Sequence, residues 1–243
     1  MKSIIASFFI ALLLTACNGG QPEELKSPEF YFQEGESYLE RGLYDNAIES
    51  WEKVRDSFYS PELTMKTELK MAETYYLAER YPEAASAYRD FIQQYPGDNR
   101  NGSATYWLAM SYYQQILTKD RDQTSTRNAL NVFRRLLAEY PGERDIAEIN
   151  ELMAYCRNRL AAHEVYIGTF YLRTKHYQPA VDRLEAALAQ YPDYPRHDRT
   201  YEALVSAYLN LNRREQAEDA FARLTNAYPD SDALKKASRK LAK

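Results

Sequence analysis

The stretch "MAETYYLAERYPEAASAYRDFIQQYP", residues 71–96, sets a small residue, Ala72, three places before Tyr75 and an alanine, Ala84, nine places after it. Tyr88 follows Ala84 by four residues, and a Tyr-Pro pair closes the stretch with Pro96 twelve residues after that alanine. The spacing recurs along the chain. Pro141, Pro192 and Pro229 each follow a tyrosine, and each stands twelve residues after an alanine, namely Ala129, Ala180 and Ala217. Large apolar residues again come four places after these alanines: Phe133, Leu184 and Phe221. Ala47 and Trp51 repeat the step near the N-terminus, with Pro61 fourteen residues beyond Ala47. Upstream, Tyr38, Tyr171 and Tyr208 precede their alanines by nine residues, while Tyr112 precedes Ala129 by seventeen, an insertion of eight. Gly35, Ala109, Gly168 and Val205 occupy the place three before the tyrosine, and only Val205 is not small.

Five units in one register resemble the tetratricopeptide repeat, a helix-turn-helix unit with a small residue where its two helices cross closely. The expected fold is therefore all-α, an α-solenoid of five tetratricopeptide repeats. Turns fall at "AERYPEAAS", "RTKHYQPAV" and "LNRREQA", with Pro82 and Pro179 at helix starts, where a missing N–H costs little. Two departures stand out. The third unit carries "LTKDRDQTSTRN" between its helices, and residues 145–163 read as a helix running on into "EVYIGTFYLR". That continuous helix of about 29 residues, some 40 Å long at 1.5 Å per residue, is expected to connect repeats 3 and 4. It ties an N-terminal half, residues 29–143, to a C-terminal half, residues 144–243, which ends in a capping helix.

Composition fits an ordered helical protein, with 45% hydrophobic and 27% charged residues, only 8 glycines and 22 tyrosines. The formal charge is −4, which argues against nucleic acid as a partner, because duplex binding needs a net basic face. Residues 1–16 read as an export signal: Lys2 is the positive region, and Ile4 to Leu14 is an apolar core too short to span a bilayer. Removing them takes away one cation, Lys2, and no acid, so the remainder is one unit more negative, at −5. Leu14-Thr15-Ala16-Cys17 resembles the bacterial lipoprotein box, which implies cleavage before Cys17 and lipidation of its sulfur. Acyl chains anchor because each buried methylene adds about 0.8 kcal/mol. Asn18 in place of Asp favours the outer membrane, and residues 17–28 become a lipid-anchored tether. Cys156 is then left without a partner and is expected to be a small buried side chain.

Catalytic chemistry finds no support. His163, His176 and His197 have no metal-ligand spacing with one another or with Cys156, and surface or packing roles are expected for them. Neither a phosphate-binding glycine loop nor a nucleophile elbow occurs. No metal and no cofactor is expected. The charges of "KDRDQT" read as a solvated loop capping helix ends, and "NGS" at 101–103 as a turn.

Binding has more support. The first helix of each unit lines the concave face of such a stack. Away from the packing positions these helices present Phe32, Glu36 and Leu39, then Leu69, Glu73 and Tyr76, then Tyr106, Met110 and Tyr113. Phe32, Leu69, Tyr76, Tyr106, Met110 and Tyr113 form a candidate peptide-binding groove, aromatic and with a soft sulfur. The competing reading is that they pack against neighbouring units. The C-terminal half is plainer there, with Val165, Thr169 and Leu172, then Glu202, Ser206 and Leu209. In the last helix Lys235, Lys236 and Arg239 flank Leu234, Ala237 and Leu241. They serve either solubility or a partner's acidic patch or anionic lipid.

The lipoprotein box, the five repeats, the insertion "DRDQTSTRNALNVFRRLLAEYP", the long helix and "RLAAHEVYIGTFYLRTKHYQPAVDRLEAALAQYPD" together resemble the BamD family, lipoproteins of the β-barrel assembly machinery. The resemblance implies a scaffold, not an enzyme, on the periplasmic face of the cell outer membrane and anchored there by lipid. It implies docking of the C-terminal repeats on the membrane-proximal POTRA domain of BamA. Arg183 in "VDRLE" is the candidate contact; otherwise it forms an exposed pair with Glu185 or Asp182. It also implies that the N-terminal repeats receive unfolded outer-membrane proteins, and that accessory Bam lipoproteins bind. The alternative is a tetratricopeptide lipoprotein that pilots a secretin or pilus, or coordinates cell-wall synthesis.

Overall fold

The computed structural model describes residues 26–57 and 60–242, so the export signal and Cys17 lie outside the described residues. Those residues form eleven helices and no strand: α1 Pro28–Glu40, α2 Tyr44–Asp56, α3 Pro61–Leu77, α4 Tyr81–Gln94, α5 Asn101–Gln114, α6 Thr124–Glu139, α7 Ile146–Arg173, α8 Tyr177–Gln190, α9 His197–Asn210, α10 Arg214–Ala227 and α11 Asp232–Leu241. Pairs α1/α2, α3/α4, α5/α6, α7/α8 and α9/α10 are the five repeats of an α-solenoid, and α11 caps the last. By internal packing the chain divides into two compact units, one up to Thr64 and one from Met65.

In the first unit α1 and α2 cross at Gly35. A Cβ there would collide with the Trp51 indole, 2.6 Å from its Cδ1 and closer still to Nε1, and this indole N–H donates to the Phe32 carbonyl at 3.2 Å. In the second unit Gly168 plays the same part, with Leu184 Cγ 2.7 Å from where its Cβ would stand. The small residue on the first helix makes room for the large one on the second. Trp51, Tyr88, Phe133 and Leu184 are accordingly buried to 2% exposure or less, whereas Phe221, in register with Val205, is only half-buried. Val205, itself fully buried, stands where the other units have glycine or alanine, and Phe221 packs against the same core.

The turns between paired helices repeat as closely. Gly42, Glu79, Lys175 and Asn212, each four residues after the repeat tyrosine, have φ between 58° and 69°. The next amide in each case donates to that tyrosine's carbonyl at 2.9 Å, in Leu43, Arg80, His176 and Arg213. This left-handed closure satisfies carbonyls at the helix end that would otherwise lack partners. Repeat 3 has no such turn, because the insertion replaces it. There Asp122 Oδ1 accepts from the Thr124 amide at 2.8 Å and so caps the start of α6.

Two of the four helices that follow Tyr-Pro loops, α5 and α9, are latched by a second recurring contact. Asn101 Nδ2 donates to the Tyr95 carbonyl at 2.7 Å, and His197 Nε2 to the Tyr191 carbonyl at 2.7 Å, each six residues on. Residues 101–103 are thus the first turn of α5 and not the free turn expected from sequence. α7 runs 28 residues from an Asp145 cap that accepts the Ala147 amide. Its first half covers repeat 3, where Ile149, Met153, Cys156 and Leu160 share a core with Phe133. Its second half is the first helix of repeat 4 and packs on α8 and α9. No helix of the described residues is long and apolar enough to cross a membrane.

Candidate functional site

The aromatic residues expected to line a groove fall into different situations. In the unit from Met65, Tyr76 on α3 stands edge-on to Trp107 at 4.8 Å and to Tyr81 at 5.4 Å, and its hydroxyl accepts from Gln114 Nε2 at 3.4 Å. On α5, Tyr113 leans on Tyr155 at 5.3 Å and meets Phe133 edge-on at 6.3 Å. Leu69 and Met110 are half-buried beside these rings. Such edge and tilted pairs hold ring planes fixed, each worth about 0.5–1.5 kcal/mol beyond the area buried.

Tyr106 is placed differently. Only 8% exposed, it belongs to the core between α5 and α7. Its hydroxyl donates to Glu148 Oε1 at 3.1 Å, and the Arg144 guanidinium covers its ring at 4.4 Å from the centroid. Burial first, and then the hydrogen bond to Glu148, pushes the phenol above its ordinary value. This side chain packs. Phe32 is half-buried in the other unit, where its carbonyl holds Trp51.

The surface that remains in the second unit is built of Tyr76, Met110 and Tyr113, with Tyr155 of α7 beside them at 42% exposure. Sequence reasoning misses Tyr155, because it reads the long helix as a strut and not as a wall. The Tyr155 hydroxyl accepts from Arg159 Nη2 at 2.9 Å, which orients the ring. The surface offers aromatic ring edges and a thioether.

Arg183 on α8 donates from Nη1 to Glu164 Oε2 of α7 at 3.0 Å, not to Asp182 or Glu185. Asp182 accepts from Gln178 at 2.7 Å, and Glu185 accepts from the Tyr208 hydroxyl. The Arg183 side chain keeps 49% of its surface exposed. In α11, Lys235 pairs with Asp232 at 3.2 Å, while Lys236 and Arg239 are exposed. Lys240 bridges to Glu202 at 2.5 Å and to Ser206 Oγ at 2.6 Å, which fastens the cap to α9. Among the described residues no three His, Cys, Asp or Glu side chains cluster to hold a metal ion. Cys156 is fully buried, and burial pushes its thiol up to about 12.

The model of the YfiO family, described as "Outer membrane lipoprotein", matches residues 24–224. Relatives over nearly the full length include the outer membrane protein assembly factor BamD of Rickettsia prowazekii, 26% identical over 95% of this chain and 92% of its own. That of Pasteurella multocida is 27% identical over 89% and 88%, and that of Caulobacter vibrioides 26% identical over 93% and 75%. Solved structures that are similar include a thermophilic TPR protein of Thermus thermophilus, with 18% identity, TM-score 0.35, and coverage of 89% of this chain and 100% of that one. With the family model spanning more than four-fifths of its residues, the chain belongs to the YfiO family of outer membrane lipoproteins.

Proposed function

We propose that this protein is an outer membrane protein assembly factor: a lipid-anchored scaffold that receives unfolded barrel proteins and holds the barrel-forming machinery. The observation that carries the reading is the likeness to relatives named BamD along almost the whole chain. Cys17 is the proposed anchor, and residues 17–28 the tether between membrane and repeats. The proposed groove for an extended segment is the surface of Tyr76, Met110, Tyr113 and Tyr155, with Leu69 as a further candidate and Tyr106 as its buried support. Phe32, in the other unit, is a separate candidate. Rigid aromatic edges suit this task, because they offer contact area at little cost in side-chain entropy.

Arg183 is the proposed contact to the BamA POTRA domain. Its ion pair with Glu164 is half exposed and weak, about 0–1 kcal/mol, so a partner carboxylate can displace it at little cost. Lys235, Lys236 and Arg239 are the second candidate surface for that partner or for an accessory Bam lipoprotein. The role is a scaffold's and not an enzyme's.

The test is depletion in the native host together with purification from its membranes. Depletion should lower the amount of folded barrel proteins in the outer membrane, and BamA should copurify. Normal barrel levels, with copurification of a secretin or of cell-wall synthases instead, would refute the proposal.

A further inference from the structure

We infer that the insertion of repeat 3, the long helix and the loop into repeat 5 together build a site for a carboxylate carried by a partner polypeptide. The three elements enclose a cavity of about 220 Å³ whose charged side chains are Lys119, Arg196 and Arg199, without a carboxylate in its lining. Val165, Tyr166 and Tyr194 supply apolar and aromatic wall. The volume lies below the roughly 300–1,000 Å³ of sites for drug-sized ligands, so it accommodates one terminal residue or one acidic side chain and not a cofactor.

The site is assembled by contacts that the regular repeat does not need. His163 of α7 and the Lys119 carbonyl lie 2.7 Å apart; because a carbonyl only accepts, Nδ1 carries the hydrogen, and this bond pins the insertion against the long helix. Lys119 is thereby held on the same cavity as Arg196, at the end of the distant loop, and Arg199, in the first turn of α9. Tyr194 is fixed from the other side by His197, edge-on at 5.3 Å.

Two of the three cations have no salt-bridge partner among the described residues. Arg196 lies 3.5 Å from Asp198, but Lys119 and Arg199 make no ion pair among the described residues. In the insertion Asp122 accepts from the Thr124 amide and hydroxyl, and Asp120 is held by Thr118 and its own backbone, with Arg121 and Lys119 as weaker charge partners. Burial raises the Tyr194 phenol; Arg196, Arg199 and Arg159 oppose that rise while Asp198 adds to it, so cations outnumber acids around this wall of the cavity. Planar guanidiniums bind carboxylates with two parallel hydrogen bonds, and the aromatic walls favour an apolar residue next to that carboxylate. A phosphate group matches the guanidiniums too, but the recessed site with apolar and aromatic walls favours a peptide end over a lipid headgroup at a flat membrane surface.

This inference does not depend on the assembly role. Its test uses the full-length protein in detergent and a fluorescein-labelled octapeptide ending in Ala-Val-Phe, followed by anisotropy. The free-acid peptide should bind, and its C-terminal amide should bind at least tenfold more weakly. Arg199→Gln and Lys119→Gln should each weaken the free acid by tenfold or more, while Arg89→Gln, an exposed charge on α4 outside the cavity, should leave it unchanged. Circular dichroism confirms that each variant is folded. Equal affinity for acid and amide, or binding unaffected by both cavity variants, overturns the inference. So does Arg199-dependent binding to phosphatidylglycerol vesicles without peptide binding, which would make the cavity a lipid headgroup site.

Discussion

Replacing Gly168 with alanine tests whether close helix crossing sets this fold. In an ordinary helix the change is favourable by about 0.8–1.0 kcal/mol, because alanine orders at lower entropic cost. Here the new Cβ would stand 2.7 Å from Leu184 Cγ, 2.8 Å from Cδ2 and 3.4 Å from the Ala180 carbonyl oxygen. Carbon pairs sit well at about 3.5–4.0 Å, so α7 and α8 must part by about 1 Å or Leu184 must leave its rotamer. Leu184 is fully buried and has nowhere to go. Overpacking of this kind costs about 1–3 kcal/mol, and with the propensity gain subtracted the net loss is roughly 0–2 kcal/mol. For a chain of this size that lowers the melting temperature by up to about 8 °C.

The second half of the test removes the obstacle. Leu184→Ala alone should cost about 2–5 kcal/mol. In that background Gly168→Ala should become neutral or stabilising by up to about 1 kcal/mol, so the cycle should show a coupling of roughly 1–3 kcal/mol. Calorimetry on the four proteins reads this directly. If Gly168→Ala stabilises the parent protein as much as it stabilises the Leu184→Ala protein, the crossing does not depend on the missing side chain and the reasoning fails.

Other expectations follow from the turns, the latches and the core. Glu79, with φ of 58°, carries the strain of the left-handed region, roughly 1–2 kcal/mol, so Glu79→Gly should stabilise by about 0.5–1 kcal/mol after glycine's entropy is subtracted; a lower melting temperature would contradict this. Burial holds His197 below its ordinary value of 6.5, so on acidification the unfolded chain takes up the proton first. Its stabilising contribution is complete above pH 6.5 and declines as the pH falls through its folded value. His197→Asn, which copies Asn101, should flatten that part of the stability profile, and an unchanged slope below pH 6.5 would rule the histidine out as its cause. In a Cys17→Ser protein, Cys156 should react with a thiol reagent only upon unfolding, and rapid labelling under native conditions would show the core to be open.

The repeat was legible because its signals are steric and sit at fixed spacings. A small residue faces a large one, and neither Gly35 with Trp51 nor Gly168 with Leu184 needs distant information to be recognised. The long helix was legible for the same reason, an unbroken run of helical positions between Asp145 and Arg173. What the sequence concealed depends on which surfaces meet across tens of residues. Arg183 pairs with Glu164, nineteen positions away, and a search among its sequence neighbours finds only Asp182 and Glu185. Tyr106 looks like groove from its helical position, but Arg144 and Glu148 close over it from the far side of the insertion. The latch of Asn101 and His197 was present as a shared offset of six residues from the Tyr-Pro tyrosine, hidden because the two side chains differ in type while donating the same N–H.

The double duty of α7 has a consequence for how such a protein changes over generations. Most repeat arrays lengthen or shorten by gaining or losing whole units, since each unit touches only its neighbours. Here residues 146–160 form the lid of repeat 3, while the remainder of the same helix begins repeat 4. Excising repeat 4 with its entire first helix would strip the cover from Phe133, and duplicating it would insert a second lid with nothing beneath. Recombination can therefore add or remove units on either side of this helix but not through it, which makes α7 the segment that fixes the number of repeats around it.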